Sequence, residues 1–229
     1  MTSLTVENYL KTAWQIAARQ ESPWVTTGQL ATALHVSPGT VTSMLKTLAE
    51  SGLAEYRPYE GACLTAQGKT LALRMLRRHR LIELFLARTL QLRWDQVHEE
   101  AEHMEHAVSD FLVDRIDEYL GLPTHDPHGD PIPSTDGRMR GDATSSKPLA
   151  VVSAGERVRV TRVTNQGREF LQFLTDSGMQ LGCVGVVRQN NLEAGIMMIE
   201  VDGKPVAIGL PAAQQILVEP VSHAASMEA

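Results

Sequence analysis

The chain has 229 residues, 43% hydrophobic and 21% charged, with a formal net charge of −6. That is enough chain for two or three small domains with cores of their own, and no apolar run approaches the roughly 18–20 residues of a membrane span. The acidic balance excludes indiscriminate binding to nucleic acid but leaves room for a local DNA-reading face.

The first segment, to about residue 90, is mostly helical in pattern. VENYLKTAWQIAA sets Val6, Leu10, Ala13, Ile16 and Ala17 on one face at helical spacing. VTTGQLATALHV repeats the pattern behind a threonine start signal. In VSPGTVTSMLKTLAESGL, Ser37 is a good N-cap, Pro38 suits the first helical position and Gly52 ends the helix. LAEYRPYEGACLTAQGK reads as two short strands around a turn at Glu60–Gly61. Residues 66 to 120 read as helical again, through AQGKTLALRMLRRHRLIELFLARTL, VHEEAEHMEHAVSD and FLVDRIDEYLG. The stretch 121–148, crowded with Pro, Gly, Asp and Ser, reads as a linker or wrapping loop. Beyond it the period changes to two in RVRVTRV, CVGVVRQ, IMMIEVDG and VAIGL, which predicts a small β-barrel over about 149–220. The tail SHAASMEA is expected to fray. Cys63 and Cys183 have no CxxC spacing and MTSLTVENYLKTAW has no signal-peptide pattern, so the expected location is the cytoplasm.

A helix, a turn, a second helix capped by Ser-Pro and then a hairpin is the order of a winged helix-turn-helix. With Val41, Leu45 and Leu48 inward, the second helix turns Thr40, Thr42, Ser43 and Lys46 outward. Small hydroxyl side chains at a helix N-terminus suit close approach to a major groove and to phosphate. Ser37, Pro38 and Gly39 open that helix, and Arg57 on the wing can reach the backbone. The competing reading is a helical hairpin serving packing alone. In residues 1–70, Lys11, Arg19, Lys46, Arg57 and Lys69 are balanced by Glu7, Glu21, Glu50, Glu55 and Glu60, so one reading head should bind weakly and a dimer is needed.

His98, Glu102, Glu105 and His106 fall at i, i+4, i+7 and i+8, which predicts one helix face with two imidazoles and two carboxylates. His79 and Glu83 are four apart on the preceding helix. Imidazole and carboxylate without thiolate suit Mn²⁺, Fe²⁺, Co²⁺ or Zn²⁺, and six ligands exceed one four-coordinate site, so two sites are expected. His98-Glu99 begins like HExxH, but Glu102 stands where that metalloprotease pattern needs histidine. Glu100-x-x-His103 has no second copy for a di-iron bundle, so the protein is not expected to be an enzyme. A metalloenzyme or metal-storage protein is the rival from another class.

VSPGTVTSMLKTL, YEGACLTAQGK, RRHRLIE, VHEEAEHMEH and DPHGDPIP, in this order over nearly the whole chain, resemble the diphtheria toxin repressor family of metal-dependent transcription regulators. The resemblance implies an α+β chain of three parts: a winged helix-turn-helix over 1–72, a helical metal-binding and dimerisation domain over 73–143, and an SH3-like domain over 149–220. It implies an ancillary metal site from His79, Glu83 and His98, completed by Gln166 and Glu169, and a primary site from Glu102, Glu105 and His106, with Asn8 at the position of the family's N-terminal ligand. Iron sensors of the family usually carry cysteine where Glu102 stands, so the resemblance implies Mn²⁺ first and Fe²⁺ as the alternative, with two ions per subunit. Lys11 stands where a second glutamate serves the two-domain manganese sensors, and a cation cannot ligate. The partners implied are a double-stranded DNA operator and a second copy of the chain, with no membrane, in control of metal-ion homeostasis.

Overall fold

The structure, a computed structural model, describes residues 4–141 and 146–221. They form two compact bodies. The predicted tail Ser222–Ala229 and the end of the predicted middle domain, residues 142–143, lie outside the described residues.

The first body comprises Met1–His79, Met104–Val113 and Pro133–Met139. Its helices are α1 (Leu4–Ala17), α2 (Thr27–Leu34) and α3 (Pro38–Glu50), followed by β1 (Ala54–Arg57), β2 (Gly61–Leu64) and the first half of α4 (Ala66–Thr89). Thr26 and Gln29 exchange side-chain and backbone hydrogen bonds in a capping box that starts α2. The Ser37 hydroxyl accepts from the Thr40 amide at 3.1 Å and starts α3, with Pro38 in the first turn. Between these helices His35 takes φ 54°, a left-handed cap that bends the chain tightly. Val41, Leu45 and Leu48 lie on the buried face of α3 with Leu10, Leu30 and Val25. The wing pairs Ala54 with Leu64 through Arg57 with Gly61, and Val25 extends it by bonding both ways with Ala62.

The second body comprises Arg80–His103, Asp114–Ile132 and Arg140–Ala229. It holds the second half of α4, all but the last residue of α5 (Val97–Met104), most of α6 (Asp110–Tyr119) and the barrel. The barrel strands are β3 (Lys147–Pro148), β4 (Arg157–Val163), β5 (Val184–Asn191), β6 (Ile196–Val201), β7 (Lys204–Gly209) and β8 (Ile216–Pro220), antiparallel in the order β3-β8-β4-β5-β6-β7. Two helices, α7 (Arg168–Asp176) and α8 (Leu210–Ala213), interrupt the strands. The core is the inward set of each strand, Val158 and Val160, Val187, Met197 and Ile199, Ile208 and Val218, closed by Leu171 and Leu174 of α7. No helix among the described residues is long and apolar enough to cross a membrane.

Two local features differ from the sequence reading. α7 lies inside the stretch read as barrel; Leu171 and Leu174, three apart and both buried, are helical spacing. α5 ends at Met104, whose carbonyl accepts from the amides of Ala107 and Val108 at 3.0 and 3.2 Å, so Glu105 and His106 sit in the turn behind the helix. Of the two readings of the Pro- and Gly-rich stretch, linker or wrapping loop, residues 121–141 take the second, with Asp126, His128, Asp130 and Ile132 buried and paired bridges at His125–Pro131 and Pro133–Met139.

Gly129 anchors that loop at φ 85°, and a Cβ there would stand 2.2 Å from the Thr161 carbonyl oxygen. Gly129→Ala is expected to cost about 2 kcal/mol or more through strain and displaced backbone, read as a lowered midpoint in denaturant unfolding; a midpoint equal to wild type contradicts this packing.

Candidate metal centre and DNA-reading face

Each body carries its own cluster of donors. In the first, Glu105 is fully buried. Its Oε2 lies 2.6 Å from His79 Nδ1 and its Oε1 accepts from Lys11 Nζ at 2.7 Å. His106 presents Nε2 toward the same carboxylate, 3.4 Å from Oε1, and Nδ1 toward Glu7 Oε2 at 3.0 Å. Arg78 holds the backbone by donating to the Glu105 carbonyl at 2.9 Å and to Asp110 at 2.7 Å. Burial acts to raise the Glu105 carboxyl, but the hydrogen bond from His79 and the Lys11 ammonium outweigh it and hold the group below the usual range. On α1, next to Glu7 in the chain, the Asn8 amide oxygen is buried with no hydrogen-bond partner, an acceptor suited to a cation.

In the second body, Glu83 of α4 is fully buried and meets two histidines. Its Oε1 lies 3.1 Å from His98 Nδ1, and its Oε2 lies 3.8 Å from Nδ1 of the fully buried His128. Glu83, Asp126 and His128 bring one donor atom each within 4.8 Å of one another, all three buried. His128 Nε2 lies 2.9 Å from the Trp94 carbonyl, which can only accept, so Nε2 carries the proton and Nδ1 faces the carboxylates. That is how ligating histidines are commonly oriented. The indole of Trp94 stacks on the His128 ring, and its N–H donates to Thr175 of α7 at 2.8 Å. Asp126 Oδ1 accepts from the amides of His128 and Asp130 at 2.8 and 2.9 Å, while its Oδ2 makes no hydrogen bond and stands 3.6 Å from Arg80. Asp130 takes Arg162 at 2.5 Å and Gln166 at 3.0 Å.

Burial, with Asp130 and Glu83 beside it, pushes the Asp126 carboxyl up to about 7. Burial opposes charge on His128, but the Glu83 carboxylate overrides it and raises the imidazole to about 9. Buried oxygen and imidazole donors, repelling carboxylates and a donor atom without a hydrogen bond fit a divalent cation.

Among the residues singled out from sequence, Glu83 and His98 meet, and His79 meets Glu105. Glu102 is half-buried on α5. Gln166 reaches the loop of Asp126 and Asp130, whereas Glu169 is exposed at the start of α7. Glu7, Asp126 and His128 were missed as donors. DPHGDP contributed to the family resemblance without a ligand being read from it, and Glu7 falls one turn before Lys11 on α1.

On the candidate DNA-reading face Ser37, Pro38, Gly39, Thr40, Ser43 and Lys46 are exposed and Thr42 is half-buried. Thr42 donates to the Pro38 carbonyl at 2.9 Å and the Ser37 and Thr40 hydroxyls meet at 2.9 Å. Arg57 on the wing is exposed, with its guanidinium 4.3 Å above the Trp24 ring.

A winged helix-turn-helix joined to buried clusters of imidazole and carboxylate defines a metal-responsive DNA-binding protein. Residues 1–62 match the iron dependent repressor N-terminal DNA binding domain, 65–134 the iron dependent repressor metal binding and dimerisation domain, and 147–220 the FeoA domain. The diphtheria toxin repressor of Corynebacterium glutamicum is 29% identical over 98% of this chain and 96% of its own length. A solved manganese-dependent transcriptional repressor in complex with manganese is 38% identical, with a TM-score of 0.85, over 94% of this chain and 100% of that one. A structure of ScaR with bound Zn²⁺ is 32% identical, with a TM-score of 0.78, over 94% and 99%. The chain belongs to the diphtheria toxin repressor family, and it is a metal-dependent DNA-binding transcriptional regulator with an SH3-like C-terminal domain.

Loading the Glu83–Asp126–His128 cluster with a divalent ion is expected to release protons at pH 7, because His128 titrates at about 9 and Asp126 at about 7 and a ligand must shed its proton to bind. Affinity at this cluster should climb with pH toward the upper value and then level off. Calorimetry in two buffers of different protonation enthalpy measures the release; equal heats in both would sink the assignment.

Proposed function

We propose that the protein is a Mn²⁺-activated regulator of metal-ion homeostasis that binds a DNA operator as a homodimer in the cytoplasm, and that it is not an enzyme. The observation that carries this reading is the buried Glu105 carboxylate, held between His79 and Lys11 with His106 facing it, in the same body as the capped reading helix α3. Glu102, Glu105 and His106, with the Asn8 amide oxygen, are the primary ligands. Glu83 and His98, with His79 one turn earlier on α4, are the ancillary ligands. Asp126 and His128 extend that ancillary set, and Gln166 supports it through Asp130. Glu169 is the weakest member of the set, given its exposure.

When bound, the ion supplies positive charge among carboxylates and fixes the ligand side chains in place. Asn8 lies on α1, so a ligand there ties the N-terminal helix of the reading domain to the Glu105 turn. The state competent for DNA is favoured by as much as the ion binds it more tightly than the other state. Two divalent ions per subunit also offset about four negative charges, which eases approach of an acidic protein to phosphate. Ser37, Pro38, Gly39, Thr40, Thr42, Ser43 and Lys46 form the groove-facing set, and Arg57 takes the backbone.

For Mn²⁺ speak an oxygen-rich donor set without thiolate and the manganese-dependent relative; Cys63 lies on β2 and Cys183 just before β5. Fe²⁺ is the second reading, favoured by relatives called iron-dependent repressor. The dimer reading rests on α6, whose Phe111 and Tyr119 are 73% and 70% exposed, more aromatic surface than one helix ordinarily leaves in water. Leu76 and Leu84 of α4 are buried as core, and Phe85 is half-buried against Tyr119.

Glu102→Ala is expected to abolish ion-dependent operator binding and leave the fold intact, as followed by DNA titration with and without Mn²⁺ beside circular dichroism. Retained Mn²⁺-dependent binding would show the primary assignment to be wrong. Thr40→Ala and Ser43→Ala should each weaken operator binding several-fold with ion affinity unchanged; loss of ion sites in these variants would overturn the division of roles.

A further inference from the structure

We propose that Glu7 is the positioning residue for His106: its carboxylate holds the imidazole at Nδ1 and thereby presents Nε2, with its lone pair, to the ion centre at Glu105. The inference rests on the reading that His106 is a ligand of that centre.

The ring has one nitrogen on each side of the question. Nδ1 lies 3.0 Å from Glu7 Oε2, a good hydrogen-bond distance. A carboxylate accepts, so the proton of a neutral ring sits on Nδ1. Nε2 lies 3.4 Å from Glu105 Oε1, long for a hydrogen bond, and that oxygen already accepts from Lys11 at 2.7 Å. In the neutral ring Nε2 is then the nitrogen without a proton, and it is the one turned toward the buried carboxylate. Neither partner is free to drift: the side chain of His106 is 12% exposed and that of Glu7 22%. A carboxylate behind a ligating imidazole sets its tautomer, fixes the ring and raises its basicity.

The placement also carries a consequence for coupling. Glu7 and Lys11 are one turn apart on α1, and they grip adjacent residues, His106 and Glu105. Charge drawn onto the imidazole by an ion at Nε2 strengthens the Nδ1–H to Glu7 bond, so ion binding tightens α1 onto the turn without Glu7 touching the ion.

The test uses the full chain with ¹⁵N-labelled histidine. In the metal-free wild type at mildly alkaline pH, long-range ¹H–¹⁵N spectra should show His106 as the Nδ1–H tautomer. In Glu7→Ala that tautomer should lose its dominance, and Mn²⁺ affinity at the centre, followed by the paramagnetic resonance of free Mn²⁺, should fall about 10- to 100-fold. Glu7→Gln, whose amide oxygen still accepts, should restore the tautomer and part of the affinity. An Nε2–H tautomer in the wild type overturns the proposal, as does a Glu7→Ala protein with unchanged tautomer and affinity. Affinity lost to the level of His106→Ala with the tautomer unchanged also overturns it, by making Glu7 a direct ligand. His106→Ala separates the two levels: if it costs ion affinity while Glu7→Ala does not, only the role of Glu7 fails, and if neither costs any, His106 is not a ligand and the underlying reading fails too.

Discussion

A carboxylate withdrawn from water must be met by positive charge or by hydrogen-bond donors, and the functional parts of this molecule follow from that constraint. Glu105 is buried because Lys11 and His79 each take one of its oxygens. Glu83 is buried between His98 and His128. Where the compensation is incomplete the groups respond by holding protons, as Asp126 does near neutral pH. Such groups are poised to exchange protons and protein cations for a divalent ion, which is what a metal-dependent switch requires.

The same requirement explains features that otherwise look incidental. Arg80 spans from Asp126 to Asp130 and also donates to the Pro131 carbonyl, and Arg162 closes on Asp130. These guanidinia hold a proline- and glycine-rich loop in one conformation that its own composition would leave loose. Gly129 lets the loop pass against the Thr161 backbone. Trp94 serves both sides of the arrangement, its carbonyl orienting His128 and its indole bonded to α7. A DNA-reading helix needs less: a cap, a proline and three inward aliphatic residues are enough to set α3 with its hydroxyl side chains outward.

Local chemistry made much of this legible before any coordinates. The period of the apolar residues and the Ser37-Pro38 start signal specify α3, because caps and core faces depend on neighbours three and four positions away. The alternation in RVRVTRV and IMMIEVDG specifies strands for the same kind of reason. α7 is hard to see in the sequence because it is only nine residues long and lies among strands. The approach of Glu83 and His98 was legible as well, from histidine and glutamate recurring at helical spacing on neighbouring helices.

The pairing of donors was decided elsewhere. Helical spacing places Glu105 and His106 on α5, yet the helix closes at Met104, and from the turn behind it the two side chains meet Lys11 and Glu7 of α1. Glu7 and Lys11 meet them from about a hundred positions away, and Asp126 and His128 reach Glu83 from a loop that reads as connector. Sequence alone determined the capped helix α3, the strands, the supply of imidazole and carboxylate side chains and the family, all of which rest on short-range patterns. Which imidazole faces which carboxylate, which lysine neutralises which glutamate, and which nitrogen is left to an ion were decided only by tertiary structure, because the charges that set these choices are brought together by packing and not by spacing along the chain.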